Sequence, residues 1–438
     1  MSVEFPSRKH IAIFPTAPIS LPLTKEENPQ RESLQSLVES RCGSLFRDYC
    51  PPWWLFNGHA HTLYASIGKF SKVDRMWYTR KILRLTDGGT LGLDFAPIDT
   101  THLDDNSPII VAVPGLTGGS HEAYIRAILC PASNKVKNGG LGYRVVVVNL
   151  RGCAGVPVTS PRLYTPGHTD DLRLALIYIS QMYPQAPLLG VGFSMGAGIL
   201  IRYLAEEGPA SRLASGCALA CPWDNVLNSH MLDSTFLTRN LWARGMGTNL
   251  RNVLRRNEGA LRAFQDHPLG TALPSALALR HPTLSFFDST FSSRVGGPEA
   301  MFPFADVDAY YRWASSHIVL KDVMVPLLAI NSTDDPLVRA VPADGGGNPY
   351  VVLARTRCGG HLGWFKTGGG RWVTRPVLEW LRLTAEDLVH DWVNQRQVYV
   401  DQDGFFREVQ RNGMGCRHIR DGGVVDGNRG QKGMLHGL

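Results

Sequence analysis

Several things are scarce in this sequence, and each scarcity excludes a class of protein. No apolar run approaches the roughly 20 residues that a membrane helix requires; the longest, such as residues 109–116 (I-I-V-A-V-P-G-L), have the length of a sheet strand. No secretory leader develops, because charge and proline interrupt M-S-V-E-F-P-S-R-K-H-I-A-I-F-P before an apolar segment forms. The expectation is a soluble, cytoplasmic protein that is not secreted, with peripheral contact to an internal membrane or lipid droplet left open. Dense basic blocks are missing too. The 45 Lys and Arg against 38 Asp and Glu give a net charge of only +7 over 438 residues, so nucleic acid is not an expected partner. The 8 cysteines show no small-domain disulfide rhythm, and no Cys/His pair with zinc-finger spacing joins Cys217 and Cys221. A reducing compartment follows. His59 and His61 stand two apart without a third ligand nearby and read as packing residues. His168, Asp170 and Asp171 read as an acid-rich helix start. No metal and no cofactor is expected, and oligomeric state is not legible.

What is present is 44% hydrophobic and 19% charged residues, a globular composition with an ample core. Apolar runs at 109–113, 143–149, 188–191, 216–220, 325–330 and 350–353 lack the alternation of a half-exposed strand, and most are separated by helical patterns. That combination predicts an α/β fold with a mostly parallel sheet covered on both faces. A β-hairpin is expected over 80–95, turning at Asp-Gly-Gly, and helices over 123–130, 170–183 with Thr169 as cap, and 372–383. The chain divides into an N-terminal extension (1–50), a core (51–222 and 320–390), a helical insertion (223–319) folded over one end of the sheet as a cap, and a polar glycine-rich tail (391–438). The tail cannot bury enough to fold alone, so it is flexible or docks on the main domain.

The chemistry gathers at strand ends. Residues 188–197 (L-L-G-V-G-F-S-M-G-A) place Ser194 in G-x-S-x-G between a buried strand and a helix, the setting of a nucleophile elbow. A serine hydroxyl needs a base to take its proton, and an acid to hold that base in the right tautomer. Two later strands supply both, in the order Ser, acid, His. N-S-T-D-D-P offers Asp334 and Asp335, and R-C-G-G-H-L-G-W offers His361. Two adjacent carboxylates would repel if both were buried. Asp335, beside the proline that stiffens the turn, is preferred to orient His361, with Asp334 capping the turn or facing solvent. Donors for the oxyanion are expected from the backbone N–H of Met195, directly after the nucleophile, and of Leu116, in the loop P-G-L-T-G-G whose Gly115, Gly118 and Gly119 permit close approach to substrate. Cys153, without a base at a matching place, is read as structural, and Arg151 as a tie between loops.

The phrases P-P-W-W-L-F-N-G-H-A-H-T-L, V-P-G-L-T-G-G-S, N-L-R-G-C-A-G, S-P-R-L-Y-T-P-G-H-T-D-D-L, G-F-S-M-G-A, F-D-S-T-F, N-S-T-D-D-P and G-G-H-L-G-W resemble one branch of the α/β-hydrolases. It holds bacterial YheT-type hydrolases, mammalian lung alpha/beta-hydrolase proteins and yeast medium-chain ethanol acyltransferase/esterases. The likeness runs from about residue 50 to 385, and the N-terminal extension is similar to that of fungal members. It implies an α/β-hydrolase fold with a helical cap, a Ser194–Asp335–His361 triad, and a serine esterase or acyltransferase. The implied substrate is a small acyl ester, medium-chain by preference, with water or an alcohol as acceptor. Thr117 and Gly118 stand where members often carry Ser or Glu, and Pro166 stands where, or near where, many carry His. These departures keep two alternatives in view: action on a bulky fungal polyketide-type ester, lactone, thioester or C–C bond, and a non-catalytic binding protein on the same fold.

Overall fold

Valine-rich and leucine-rich runs form strands because branched side chains pack well on a pleated surface. Here both faces of those strands are buried. In the computed structural model, which describes residues 11–24, 30–298, 300–390 and 393–429, the strands are β1 (Ile11–Ile13), β2 (Ser20–Pro22), β3 (Arg31–Ser33), β4 (Trp77–Leu85), β5 (Thr90–Ala96), β6 (Ile109–Val113) and β7 (Arg144–Asn149). They continue with β8 (Leu188–Phe193), β9 (Leu213–Leu219), β10 (Leu327–Ser332), β11 (Val351–Thr356), β12 (Val398–Val400), β13 (Phe406–Glu408) and β14 (Cys416–Asp426). Strands β2 and β3 pair with each other. The other twelve form one sheet in the order β1-β11-β10-β9-β8-β6-β7-β5-β4-β14-β13-β12. From β11 through β7 the pairing is parallel, and both flanks are antiparallel. The expected hairpin is β4–β5.

Nine helices serve the description: α1 (Leu34–Arg41), α2 (Gly58–Ile67), α3 (Ala123–Ser133), α4 (Asp170–Met182), α5 (Met195–Glu207), α6 (Asn225–Ser234), α7 (Arg244–Arg256), α8 (Val307–Ala314) and α9 (Thr374–Arg382). Successive residues of a strand point to opposite faces, and β6 and β7 divide accordingly. Ile110, Ala112, Val145 and Val147 pack with α1, α3 and α9, whereas Ile109, Val111, Val146 and Val148 pack with α4 and α5. Each such valine or isoleucine contributes roughly 1.5–3 kcal/mol relative to exposure. This is the α/β-hydrolase architecture. None of the described helices is long and apolar enough to cross a membrane. Thr169 does precede α4, but its hydroxyl donates to Glu206 on α5 instead of capping the helix.

Between β9 and β10 the chain is helical, and its Leu254, Leu261, Leu269, Phe287 and Phe291 meet in a small core with Val158 from the stretch after β7. A second cluster ties it to the sheet: Leu232, Trp242 and Met246 pack on Leu337 and Val338, just beyond β10. Of the two expectations for the glycine-rich segment after 400, the structure has the docked one. β14 pairs with β4 along nearly its whole length, Cys416 opposite Leu85 through Asp426 opposite Trp77, with two register shifts. Glu408 on β13 reaches the buried Arg212 at 2.8 Å.

Candidate active site

Ser194 sits where β8 turns into α5, with φ +52° and ψ −121°. A non-glycine residue there is strained by about 1–3 kcal/mol, and its neighbours explain how the strain is held. A Cβ on Gly196 would lie 2.2 Å from the Val113 carbonyl oxygen, and one on Gly192 would lie 2.5 Å from the Cα of Ala197. Only glycine allows strand, turn and helix to pass this close, so the serine is lifted above the sheet on a turn that cannot relax sideways. The Ser194 N–H donates to the Leu219 carbonyl at 2.8 Å, fixing the turn to β9.

His361 Nε2 lies 2.8 Å from Ser194 Oγ, and its Nδ1 lies 2.8 Å from Asp335 Oδ2. The other oxygen of Asp335 accepts the N–H groups of Leu337 and Val338 at 2.8 and 3.0 Å, which sets the carboxylate's orientation and leaves Oδ2 to the imidazole. Asp335 and His361 are buried. Asp334 points elsewhere. Its Oδ1 accepts the Ser332 hydroxyl at 2.6 Å and the Gly360 N–H at 2.9 Å, so it ties the acid turn to the histidine loop, and burial raises its pKa. The two adjacent carboxylates bond different partners, and after burial the charge of Asp335 adds to the rise in the Asp334 pKa.

The loop carrying His361 is braced from three sides. Gly360 (φ +57°) has room for no side chain, since a Cβ would meet the Gly58 carbonyl oxygen at 2.3 Å. The His361 N–H donates to the Thr62 hydroxyl at 2.9 Å. Buried Arg371 donates to the Gly363 carbonyl at 3.0 Å and to that of Leu362, and lies 4.4 Å from the centre of the Phe365 ring; burial lowers its pKa to about 10. Gly58 and Thr62 belong to α2, and a Cβ on Gly58 would stand 1.7 Å from the Asp334 carbonyl oxygen. Helix α2 is thus wedged against both the acid turn and the histidine loop, a role the sequence reading did not assign to its N-G-H-A-H-T phrase. Its histidines are packing groups. His61 stacks on Phe365 with ring centres 6.1 Å apart, and burial, then Arg371, pushes its pKa down to about 4. His59 Nδ1 accepts the Trp242 indole N–H at 2.9 Å, and burial lowers its pKa.

The loop after β6 presents Leu116 beside the serine. Its neighbours are occupied: the Gly115 N–H donates to Tyr124 Oη at 3.2 Å and the Thr117 N–H to Tyr164 Oη at 3.1 Å. No acceptor among the described residues takes the Leu116 N–H. The Met195 N–H belongs to the first turn of α5, where backbone donors lack intrahelical acceptors. Both residues line the cavity that contains Ser194 and His361. The loop glycines are explained by protein packing. A Cβ on Gly115 would lie 3.3 Å from that of Ser194, on Gly118 2.8 Å from Tyr124 Oη, and on Gly119 2.4 Å from the Cβ of Ala154. Arg151 pairs with Asp171 and Asp87, both at 2.7 Å, joining the loop after β7 to the first turn of α4 and to the β4–β5 turn. Burial drives the Cys153 thiol up to about 12. His168 and Asp170 are engaged with Arg162 and Arg173.

The cavity holds about 120 Å³ and opens to solvent. Leu116, Leu232, Met246, Leu250 and Leu337 give it an apolar side. Its walls come from strand ends and from the insertion together.

The profile of the alpha/beta hydrolase fold family matches residues 108–343. Over 417 residues the chain is 27% identical to a monoacylglycerol lipase of Saccharomyces cerevisiae, covering 85% of this chain and 90% of the relative. It is 31% identical over 388 residues to the medium-chain fatty acid ethyl ester synthase/esterase 2 of the same yeast, covering 74% and 83%. Against the human phospholipase ABHD3 the figures are 29% over 343 residues, 76% and 78%.

Proposed function

The chain belongs to the alpha/beta hydrolase fold family, and from that premise we propose that it is a serine hydrolase and acyltransferase of carboxylic esters, acting through an acyl-enzyme on Ser194. Relatives named for hydrolysis of acylglycerols, ethyl esters and phospholipids support an ester as substrate. The observation that carries the reading is the unbroken hydrogen-bond chain from Ser194 through His361 to Asp335, at 2.8 Å for each link, opening into a cavity.

In this mechanism Ser194 Oγ attacks the ester carbonyl carbon while His361 Nε2 takes its proton. Asp335 holds the Nδ1 proton and stabilises the imidazolium. The carbonyl oxygen, now negative, receives the Leu116 and Met195 N–H groups, donors that need no reorganisation as charge develops. Collapse breaks the bond to the leaving alcohol, which departs with the proton from His361. Water or an alcohol then attacks the acyl-enzyme through the same base, giving an acid or a new ester and restoring Ser194. The apolar side of the cavity suits a medium-length acyl chain. Each added methylene buried there is worth about 0.8 kcal/mol, or roughly fourfold in kcat/KM, until the space is filled.

The test is covalent labelling with a fluorophosphonate probe together with hydrolysis of an ester series of increasing acyl length, with and without added ethanol. Labelling at Ser194, lost in S194A, and a rise then plateau of kcat/KM along the series are expected. Folded protein that neither labels nor hydrolyses any ester refutes the proposal.

A further inference from the structure

The cavity above Ser194 is not apolar throughout. One wall is built by Asn228 and Ser229 on α6, by Asp288 and Ser292 on the turn 288–292, and by Tyr311 on α8. Asp288 is 5% exposed, and no Lys, Arg or His among the described residues pairs with it. Its carboxylate accepts the Tyr311 hydroxyl at 2.8 Å and the Ser292 hydroxyl, and burial pushes its pKa up to about 6. A carboxylate has about four acceptor positions, so capacity remains. Asn228 is 4% exposed. Its side-chain oxygen accepts the N–H groups of Arg339 and Ala340 at 3.0 and 3.1 Å, while its amide N–H pair meets no acceptor among the described residues. Tyr311 links the two places, because its hydroxyl also bonds Ser229, the neighbour of Asn228.

A buried acid without a cation and a buried amide without an acceptor are both costly. Hydrocarbon lying against this wall would leave the Asn228 amide without an acceptor and the spare acceptor positions of Asp288 unused. An ammonium would suit Asp288 but face the N–H groups of Asn228, and a carboxylate would suit Asn228 but face Asp288. An alcohol hydroxyl suits both, since it donates and accepts at one atom.

We propose that this wall is a hydroxyl-recognition subsite, with Asp288 accepting from and Asn228 donating to a free hydroxyl carried by the ester substrate. This rests on the serine-hydrolase reading and adds the substrate class to it. The hydroxyl belongs either to the alcohol portion, as in a partial ester of a polyol, or to the acyl portion, as in a hydroxyacyl ester.

The experiment compares three esters of one acyl length on the full chain: ethyl octanoate, glycerol monooctanoate and ethyl ω-hydroxyoctanoate. The reading is the ratio of kcat/KM for each hydroxyl-bearing ester to that for the plain one, in the native protein, in D288N (which keeps an acceptor for Tyr311) and in N228D (which keeps an acceptor for the two backbone N–H groups). One native ratio well above unity is expected, falling roughly tenfold to a hundredfold in each variant. The ester that responds identifies the portion bearing the hydroxyl. Native ratios near one, or ratios that both variants leave unchanged, overturn the subsite. Fluorophosphonate labelling of Ser194 checks that each variant is intact, and the native ratio alone decides where a variant does not label. A native protein that neither labels nor hydrolyses any of the three esters overturns the serine-hydrolase reading as well, which separates the two failures.

Discussion

Replacing Thr62 by valine tests whether α2 positions the His361 imidazole for the proposed chemistry. The side chains are nearly isosteric, so the change deletes a hydroxyl without opening a cavity. That hydroxyl accepts the His361 N–H at 2.9 Å and donates to the Gly58 carbonyl at 2.7 Å. The Gly58 carbonyl still faces the backbone N–H four residues on in the helix. Among the described residues the His361 N–H has no second acceptor, and both Thr62 and His361 are at most 1% exposed, so water does not replace the lost one. A buried donor left unpaired costs about 1–3 kcal/mol. If that penalty falls on the loop arrangement that spans Ser194 and Asp335, the competent fraction drops by roughly 5- to 150-fold. The expected result in T62V is a fall of that size in kcat and in the rate of fluorophosphonate labelling, with KM changed little. T62S, which keeps the hydroxyl, restores most of both. A T62V protein with native kcat, or a T62S protein as impaired as T62V, refutes the positioning role.

Three further outcomes are expected. D335N presents an amide to His361 Nδ1 and favours the wrong tautomer, so kcat should fall by about 10⁴ while folding is retained; kinetics on a small ester beside a thermal melt check this. His61 titrates near 6.5 when unfolded and near 4 when folded, so its contribution to stability is complete above about pH 6.5 and is lost as pH falls toward 4. The loss between pH 7 and pH 5 is about 2 kcal/mol, and H61F, whose ring can stack on Phe365, should show a denaturation midpoint less sensitive to pH by that amount. In E408Q the buried Arg212 loses its charged partner, and a destabilisation of about 3–5 kcal/mol is expected in urea unfolding; a change under 1 kcal/mol would refute the weight given to this pair.

Much of the candidate site's arrangement is legible in the sequence, for a physical reason. Acyl-transfer chemistry on a parallel sheet needs its groups at strand ends, and local composition marks strand ends well. The runs before Ser194, Asp335 and His361 are apolar throughout, and the glycines around Ser194 and His361 occur where backbones must touch. The tasks of Asp334 and of α2 were not legible in the same way. Asp334 looks interchangeable with Asp335 in sequence, and the Gly360 N–H that ties it to the histidine loop lies 26 positions away. The contacts of Gly58 and Thr62 reach across some 300 residues, and nothing local marks the tyrosines that occupy the N–H groups on either side of Leu116. β14 escaped notice because it has no alternation to read. Nearly all of its side chains are exposed, and two register shifts break its period.

The pairing of β14 with β4 has a consequence during synthesis. Leu85 and its partner Cys416 are separated by 331 positions (416 − 85). At about 5–20 residues per second, the ribosome needs roughly a quarter of a minute to a minute to deliver the second after the first. Throughout that interval the outer side of β4 stands bare, a row of backbone donors and acceptors able to template onto any strand that comes near, including β4 of a neighbouring nascent chain. The strand that covers β4 is thus delivered long after β4 itself, and it bonds β13 in turn only at Cys416.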